Sequence, residues 1–224
     1  MTALADRLGR VTEQIADAAR DAGRAPEELT TIVVTKFHPA ELVRRLHELG
    51  VRDFGESRHQ EAGPKIASLS DLDARWHFVG QLQSKKARQV REYAQVIHSL
   101  DRESLLKALA DEQAEPVEVF LQVNLTDDPG RGGILPDALE TFVERTLATP
   151  GLRLLGLMAV APLGEPPRPA FARVRELSER IRMLAPRATA LSMGMSGDFR
   201  EAIAEGATHL RIGTAITGNR PAEA

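Results

Sequence analysis

The sequence repeats one pattern eight times, in which a short apolar segment is followed by an amphipathic segment. The apolar segments are rich in β-branched residues and end at glycine or polar residues, as buried strands do. The predicted strands cover residues 30–36, 51–55, 75–79, 96–100, 117–123, 152–160, 188–193 and 209–213. The predicted helices between them cover residues 39–49, 56–69, 84–93, 102–112, 136–148, 169–184 and 198–205.

Eight strand–helix units in succession are the pattern of a (β/α)8 barrel. An extra amphipathic helix precedes them over residues 2–22, with one apolar face formed by Leu4, Leu8, Val11, Ile15 and Ala18. Because no long polar linker interrupts the pattern, residues 1–224 are predicted to form a single α/β domain, a TIM-type barrel with an extra N-terminal helix. A doubly wound sheet is the alternative, but no GxGxxG motif follows the first predicted strand.

The composition excludes several classes of function. The 29 basic and 32 acidic side chains give a net charge of −3, which argues against nucleic acid or an acidic membrane surface as a partner. The chain has no cysteine, which excludes disulfide bonds, thiol catalysis and cysteine-ligated zinc. The sequence also shows no apolar signal core, no segment long enough to span a membrane and no HxxxH or HxH pair. A cytoplasmic protein without a metal site is therefore expected.

Lys36 is the first candidate for chemistry, because it lies where the first predicted strand ends. A lysine in that position is expected to be partly desolvated, which disfavours its ammonium form. The free amine can attack a carbonyl carbon and form an imine. The alternative is a lysine that extends from the strand end into solvent.

Two loops rich in glycine and hydroxyl side chains follow the last two predicted strands. Residues 191–198 read Leu-Ser-Met-Gly-Met-Ser-Gly-Asp, and residues 211–218 read Arg-Ile-Gly-Thr-Ala-Ile-Thr-Gly. Such loops can surround an anion with N–H and O–H groups, and this is the usual phosphate position of the barrel fold. Alternatively, the glycines only form turns and Asp198 caps a helix. A reactive lysine and a phosphate site at one barrel mouth predict either pyridoxal 5′-phosphate or a phosphorylated sugar aldehyde as ligand.

Other polar residues carry less weight. His77 lies within a predicted strand, where histidine is more often a hydrogen-bonded core residue than an acid or a base. Asn124 follows another strand at the barrel mouth and can hydrogen-bond the ring of a ligand. Lys85 and Lys86 begin a helix and are expected to be solvated. Tyr93, the only tyrosine, lies late in that helix, away from the carboxyl ends of the strands.

The chain resembles the pyridoxal phosphate homeostasis protein family in motifs that follow one another from residue 34 to residue 220. The motifs are Val34-Thr35-Lys36, Phe54-Gly55-Glu56, Trp76-His77-Phe78-Val79-Gly80 with Leu82-Gln83-Ser84, Gln122-Val123-Asn124, Gly156-Leu157-Met158, Leu191-Ser192-Met193-Gly194-Met195-Ser196 with Asp198, and Arg211-Ile212-Gly213-Thr214-Ala215-Ile216 with Gly218. The departures from the family pattern are Ser57-Arg58 in place of Asn-Tyr, Gln81 in place of Pro, Lys85 in place of Asn, and Arg131-Gly132 in place of Lys-Ser.

The resemblance implies a barrel like the N-terminal domain of alanine racemase, with pyridoxal 5′-phosphate held as an internal aldimine on Lys36. It implies that Ser196, Gly213 and Thr214 bind the phosphate and that Arg211 faces the pyridine nitrogen. An arginine stays protonated and cannot protonate that nitrogen, which weakens the ring as an electron sink. The residues expected to contact the cofactor are Lys36, Ser57, His77, Asn124, Met195, Ser196, Arg211, Gly213 and Thr214.

The function implied by the resemblance is to hold and buffer pyridoxal phosphate without dedicated catalytic turnover. Apo-enzymes that need the cofactor are the implied recipients, and a monomer is expected. An amino-acid racemase is the alternative, but in that superfamily the second base is a tyrosine from another domain. An imine-forming aldolase is a third possibility, for which a reactive lysine on the first strand is unusual.

Overall fold

The computed structural model describes residues 3–126 and 131–219, and its eight parallel strands form a closed barrel. The strands are β1 Thr30–Val34, β2 Asp53–Glu56, β3 Arg75–Phe78, β4 Val96–Leu100, β5 Val117–Gln122, β6 Leu152–Met158, β7 Ala190–Ser192 and β8 His209–Ile212. Each strand pairs with the next, and β8 pairs with β1 from Thr30↔His209 to Val33↔Ile212. The predicted (β/α)8 barrel with an extra N-terminal helix is confirmed.

Helices cover the outside of the barrel. They are α1 Ala3–Asp21, α2 Ala40–Glu48, α3 His59–Ala67, α4 Ala87–Arg91, α5 Glu103–Leu109, α6 Leu139–Leu147, α7 Pro167–Ile181, α8 Phe199–Ala204 and α9 Thr214–Thr217, with 3₁₀ turns at Pro26–Glu28, Ser84–Lys86 and Pro136–Ala138. Within the part of the chain that the structure describes, no helix is long and apolar enough to cross a membrane.

The differences from the sequence prediction lie mostly at the ends of elements. β1 ends at Val34, two residues before Lys36, and β7 covers only Ala190–Ser192 within the predicted 188–193. The sequence predicts no helix after the eighth strand, whereas α9 follows β8 after a single residue, Gly213. Residues 1, 2, 127–130 and 220–224, which the prediction assigns to the domain, lie outside the described residues.

The extra helix α1 supports the last turn of the barrel. Its predicted apolar face is buried at Leu4, Val11, Ile15 and Ala18, and the helix packs against α8 and α9. Arg7 of α1 donates a hydrogen bond from Nε to the carbonyl oxygen of Ile216 at 2.7 Å. Because this contact joins helix α1 to α9, the N-terminal helix holds the segment that follows β8 in place.

The apolar core is mainly outside the barrel, between strands and helices. One continuous cluster there includes Phe54, Phe78 and Phe171, all almost completely buried. A much smaller cluster of Val96, Phe120 and Met158 is separate from it. These two clusters correspond to the two sides of the strands, because successive side chains of a strand point to opposite faces.

Polar side chains share the barrel interior with the smaller cluster. The His98 ring stacks on Phe120 with a centroid distance of 4.6 Å, and the His209 ring meets the same phenyl edge-on at 5.0 Å. His77 and Arg211 are buried as well. Branched apolar side chains usually dominate this space, so a barrel interior with three histidines and an arginine is a departure from the common pattern.

Burial keeps the interior histidines neutral. It lowers the pKa of His77 and of His98, and it lowers the pKa of His209 to about 4. In the unfolded chain, histidine titrates near pH 6.5. Between the folded and the unfolded pKa, the unfolded state binds more protons than the folded state. The free energy of unfolding therefore has its full value above about pH 6.5 and decreases as the pH falls.

We therefore expect His209 alone to contribute a loss of about 3 kcal/mol in the free energy of unfolding as the pH falls from about 7 to below 4. Urea unfolding at pH 7.5 and pH 4.5 measures most of this loss. His209→Gln should lose less stability over that interval than the parent protein, whereas His47→Gln on surface helix α2 should lose as much as the parent. An equal pH dependence for His209→Gln and the parent would contradict the assignment.

Candidate functional site

A cavity of about 380 Å³ opens at the mouth of the barrel, where the strands end. Its polar lining comes from the ends of β1, β2, β7 and β8 and the residues that follow them. Seven of the nine sequence-predicted site residues line it: Lys36, Ser57, Met195, Ser196, Arg211, Gly213 and Thr214. The apolar part of the lining includes Val34, Val79, Met158 and Val160. No carboxylate belongs to the described lining.

Lys36 stands at the rim of this cavity and is exposed. The expected desolvation is absent, because β1 ends at Val34 and the next two residues carry the chain out of the barrel. The chain reverses at Phe37, whose φ of 67° lies in the left-handed region that residues other than glycine rarely adopt. The Arg58 guanidinium lies 4.9 Å from the centre of the Phe37 ring, and this contact stabilises the turn beside Lys36.

A buried ion pair lies directly beneath the Lys36 turn. Lys65 Nζ donates to Glu56 Oε1 at 2.8 Å and to the carbonyl oxygen of Thr35 at 3.0 Å. The Thr35 hydroxyl donates to the same Glu56 oxygen, also at 2.8 Å. These three bonds join the ends of β1 and β2 to α3 and define the backbone from which Lys36 extends. The sequence pattern indicates Lys36 but not the contacts of Lys65 and Glu56 that support it.

Arg211 is the buried cation of the site. Its Nη1 donates to Ser192 Oγ at 2.7 Å, and its Nη2 donates to the carbonyl oxygen of Ala159 at 3.0 Å. Burial lowers the pKa of Arg211 to about 10, against an opposing effect of Asp198. The guanidinium therefore remains protonated at neutral pH while it faces a cavity that has no carboxylate in its described lining.

Two loops bring hydroxyl groups and glycines to the side of the cavity next to Arg211. After β7 the chain turns at Gly194, where φ is +92° and a Cβ would lie 2.7 Å from that of Ala202, so only glycine fits. The Asp198 carboxylate then accepts a hydrogen bond from the backbone N–H of Met195 at 2.6 Å, which shapes the loop that carries Ser196. Asp198 is the N-cap residue of α8, but its side chain makes no capping hydrogen bond to that helix.

The loop after β8 is formed by Gly213 and the first turn of α9. The carbonyl oxygen of Gly213 accepts hydrogen bonds from Ile216 and Thr217 at 2.9 and 3.0 Å. Thr214 begins the helix and lines the cavity beside Gly213. Because β8 pairs with β1, this loop and Lys36 belong to neighbouring strand ends.

The structure does not bring His77 and Asn124 to the cavity. His77 is buried in the barrel interior, where its ring nitrogens lie 2.9 Å from His98 Nε2 and 2.9 Å from Asp53 Oδ1. The Asn124 side chain donates to the carbonyl oxygen of Arg131 and accepts from Thr126, so it organises the loop after β5. His77 lies on β3 and Asn124 lies after β5, as expected, but the polar groups of both residues are already engaged by the protein.

Other polar residues weighed from the sequence also lie away from the cavity. The Tyr93 hydroxyl is 3.3 Å from His59 Nδ1 and lines a groove that includes Trp76, and burial raises its pKa. Lys85 and Lys86 lie in the turn Ser84–Lys86. His98 and Asp53 were not predicted from the sequence, although one signal was present: His77 and His98 lie on neighbouring strands.

Comparison with known proteins identifies the family. The model of the alanine racemase N-terminal domain family matches residues 6–221. The chain is 41% identical over 226 residues to the pyridoxal phosphate homeostasis protein of Pseudomonas aeruginosa, with 98% of this chain and 97% of the relative covered. The chain belongs to the pyridoxal phosphate homeostasis protein family. Another member of this family, from Aquifex aeolicus, is 39% identical, with 96% of this chain and 97% of the relative covered.

Solved structures with the same barrel fold also match this chain. PipY of Synechococcus elongatus PCC7942, solved with pyridoxal phosphate bound, matches with a TM-score of 0.85 and 37% identity over 96% of this chain and 100% of PipY. Alanine racemase from Corynebacterium glutamicum matches with a TM-score of 0.72 and 13% identity over 95% of this chain and 61% of the racemase. The second likeness shows the barrel fold alone. Among residues 3–126 and 131–219 of this chain, no group of three or more His, Asp or Glu side chains could hold a metal ion.

Proposed function

We propose that this protein binds pyridoxal 5′-phosphate at the barrel mouth, linked through an imine to Lys36, and serves its homeostasis as a carrier without dedicated turnover. The proposal rests on the composition of the cavity. Two cationic side chains, several hydroxyls and an apolar wall line it, and the part of the lining that the structure describes contains no carboxylate. Its volume of about 380 Å³ lies within the usual range of small-molecule sites, about 300–1,000 Å³. The ligand it suits is anionic, small and partly apolar.

The phosphate is assigned to the loops after β7 and β8. Ser196 and Thr214 contribute hydroxyl donors there, and Gly197 and Gly213 let the backbone approach closely. The buried Arg211 adds positive charge beside these loops, and its hydrogen bonds to Ser192 and Ala159 involve no carboxylate. A dianionic group is therefore favoured at this end of the cavity.

The aldehyde is assigned to the Lys36 end. The Lys36 amine adds to the aldehyde carbon, and the condensation forms a carbon–nitrogen double bond and releases one water molecule. Because Lys36 is exposed at the rim, water and other amines can reach this bond and reverse it. An accessible, reversible attachment suits a protein that releases its cofactor.

The ring is assigned to the apolar wall, with its nitrogen towards Arg211. Pyridoxal phosphate supplies an electron sink when bound, and the strength of that sink depends on the charge of the ring nitrogen. The guanidinium can donate a hydrogen bond to this nitrogen but keeps its own proton, because its pKa of about 10 is far above that of a pyridine in this setting. Met158 and Val160 lie on the cavity wall and can contact the ring.

A carrier role is favoured over a racemase because few groups in the described lining of the cavity can transfer a proton. A two-base racemase needs a second proton-transferring side chain opposite the lysine. Besides Lys36, the described lining offers only hydroxyls and the buried guanidinium, and Tyr93 lies in a different groove. We further propose that the protein acts in the cytoplasm as a monomer of one domain over residues 1–224 and supplies apo-enzymes.

The covalent attachment can be mapped. Borohydride reduction of the protein loaded with pyridoxal phosphate should fix the cofactor irreversibly to one lysine, and peptide mass mapping should identify Lys36. Lys36→Ala should lose the covalent adduct and keep weak affinity through the phosphate loops. Lys85→Ala and Lys86→Ala serve as controls and should label as the parent does. An adduct on Lys85 or Lys86 in the parent would refute the assignment.

The phosphate contacts can be measured separately. Ser196→Ala and Thr214→Val should each weaken cofactor binding by about 1–2 kcal/mol, because each removes one hydrogen bond to a charged group. Titration followed by absorption or fluorescence gives the dissociation constants. Ser84→Ala, which lies outside the cavity, is the matched control and should bind normally. If pyridoxal bound as tightly as pyridoxal phosphate, the two loops would have only a structural role.

The choice between carrier and enzyme is tested by proton exchange. Alanine, serine or glutamate added in heavy water should show slow deuterium incorporation at Cα, because Arg211 leaves the ring nitrogen uncharged and the described lining has no second base. NMR follows the loss of the Cα proton directly. Exchange at rates typical of enzymes, about 1–10³ s⁻¹, would favour the racemase instead. Transfer of cofactor to an apo-enzyme in a mixing experiment is the positive result expected for a carrier.

A further inference from the structure

One line of hydrogen bonds crosses the barrel interior from end to end. It begins at Asp53, the first residue of β2 at the amino end of the barrel, and it ends at Arg211 beside the mouth. The successive distances are 2.9 Å from Asp53 Oδ1 to His77 Nε2, 2.9 Å from His77 Nδ1 to His98 Nε2, 2.8 Å from His98 Nδ1 to Ser192 Oγ, and 2.7 Å from Ser192 Oγ to Arg211 Nη1. We call these five residues the interior network.

The chemistry of its two ends gives the interior network a single direction. A carboxylate only accepts hydrogen bonds, so His77 carries its proton on Nε2 and donates it to Asp53. The neutral His77 ring then accepts at Nδ1, which places the proton of His98 on Nε2. His98 Nδ1 accepts in turn from the Ser192 hydroxyl. The Ser192 oxygen finally accepts from the guanidinium, which is donor-only.

The surroundings of the interior network favour neutral histidines. Burial lowers the pKa of both His77 and His98, and the nearby Arg75 and Arg211 act in the same direction on His98. The centres of the His209 and His98 rings are 6.4 Å apart, and His209 Nδ1 forms a hydrogen bond with the Thr208 hydroxyl. Arg75 is paired with Glu118. Asp53 is therefore the carboxylate that meets the histidine pair directly.

Arg211 depends on this arrangement because its direct acceptors are uncharged. The Ser192 hydroxyl and the Ala159 carbonyl hold its two Nη atoms, and among the described residues no carboxylate forms a hydrogen-bonded ion pair with it. Asp198 acts on it only through space. A buried cation without a direct partner is stabilised by oriented dipoles, and a hydrogen-bonded line that ends in an anion orients every dipole in the favourable sense.

We propose that the interior network positions Arg211, so that the Asp53 carboxylate at the far end of the barrel controls how the guanidinium meets the mouth cavity. Asp53 and the two histidines are positioning residues in this scheme, since none of them lines the cavity. The consequence for the cofactor, a fixed hydrogen bond to the ring nitrogen, rests on the proposed function. The orientation of Arg211 itself does not.

NMR on protein without added cofactor tests the interior network directly. In protein labelled with ¹⁵N in histidine and arginine, the parent should carry protons on Nε2 of both His77 and His98. Asp53→Leu removes the final acceptor, so protons should appear on Nδ1 of His98 and the Arg211 N–H protons should exchange faster with water. Asp53→Asn keeps an acceptor oxygen and should retain the parent tautomers. Should Asp53→Leu fail to fold, Ser192→Ala interrupts the network next to Arg211 and should accelerate the same exchange.

A second measurement uses the protein loaded with pyridoxal phosphate. Asp53→Leu and Ser192→Ala should shift the visible absorption band of the loaded protein, because the ring nitrogen loses a fixed donor. Asp73→Asn is the control for charge, since Asp73 is exposed at the same end of the barrel and lies outside the network. Its spectrum should equal that of the parent.

Two results would overturn the proposal. One is a parent protein with the proton on Nδ1 of His98, and the other is Arg211 exchange that neither Asp53→Leu nor Ser192→Ala accelerates. A parent protein that shows no visible band with pyridoxal phosphate would instead refute the proposed function, while the NMR result would still decide the role of the interior network.

Discussion

The geometry of this protein follows from the pairing of its first strand, β1, with its last, β8. The register from Thr30↔His209 to Val33↔Ile212 closes the sheet and brings together segments that lie about 180 residues apart in the chain. Because all eight strands are parallel, their carboxyl ends open at one mouth, and Lys36 comes to lie near Gly213 and Thr214. Arg7 and the rest of α1 reinforce this closure from outside by holding α9.

Closure of the barrel also creates an interior that this chain fills in an unusual way. A buried guanidinium loses its hydration, and that loss is costly unless dipoles or charges replace the water. Arg211 receives oriented acceptors from Ser192 and Ala159, and the histidine pair continues the line to Asp53. The apolar cluster of Val96, Phe120 and Met158 is correspondingly small. Much of the packing stabilisation therefore comes from the larger cluster outside the barrel, between strands and helices.

The fold is shared with enzymes, so the function has to be argued from the mouth of the barrel. The likeness to alanine racemase covers only 61% of that protein, whereas the likeness to PipY covers all of it. Around the cavity, an exposed lysine, an arginine that is protonated at neutral pH and the hydroxyls of Ser196 and Thr214 support the proposed binding and release of a cofactor. A strong proton-transferring pair is what a racemase would add.

The barrel can be predicted from the amino-acid sequence, because few other folds fit an alternation of β-branched segments with amphipathic segments. It also located the two ends of the mouth site, since Lys36 and the glycine-rich loops after the last two strands follow predicted strand ends. The local periodicity of the sequence identifies each strand and its place in the chain order. In a parallel barrel this order determines which strand ends are neighbours at the mouth. These steps need no knowledge of side-chain contacts.

The sequence pattern does not show which polar side chains reach the cavity, because this depends on contacts between strands. His77 lies within a strand, but its ring is held by His98 and Asp53, residues of two other strands. Lys36 is exposed because β1 ends two residues earlier than the sequence pattern indicates. The physical reason is common to both: side-chain hydrogen bonding and solvent exposure depend on neighbours brought close by strand pairing, and those neighbours are distant in the sequence.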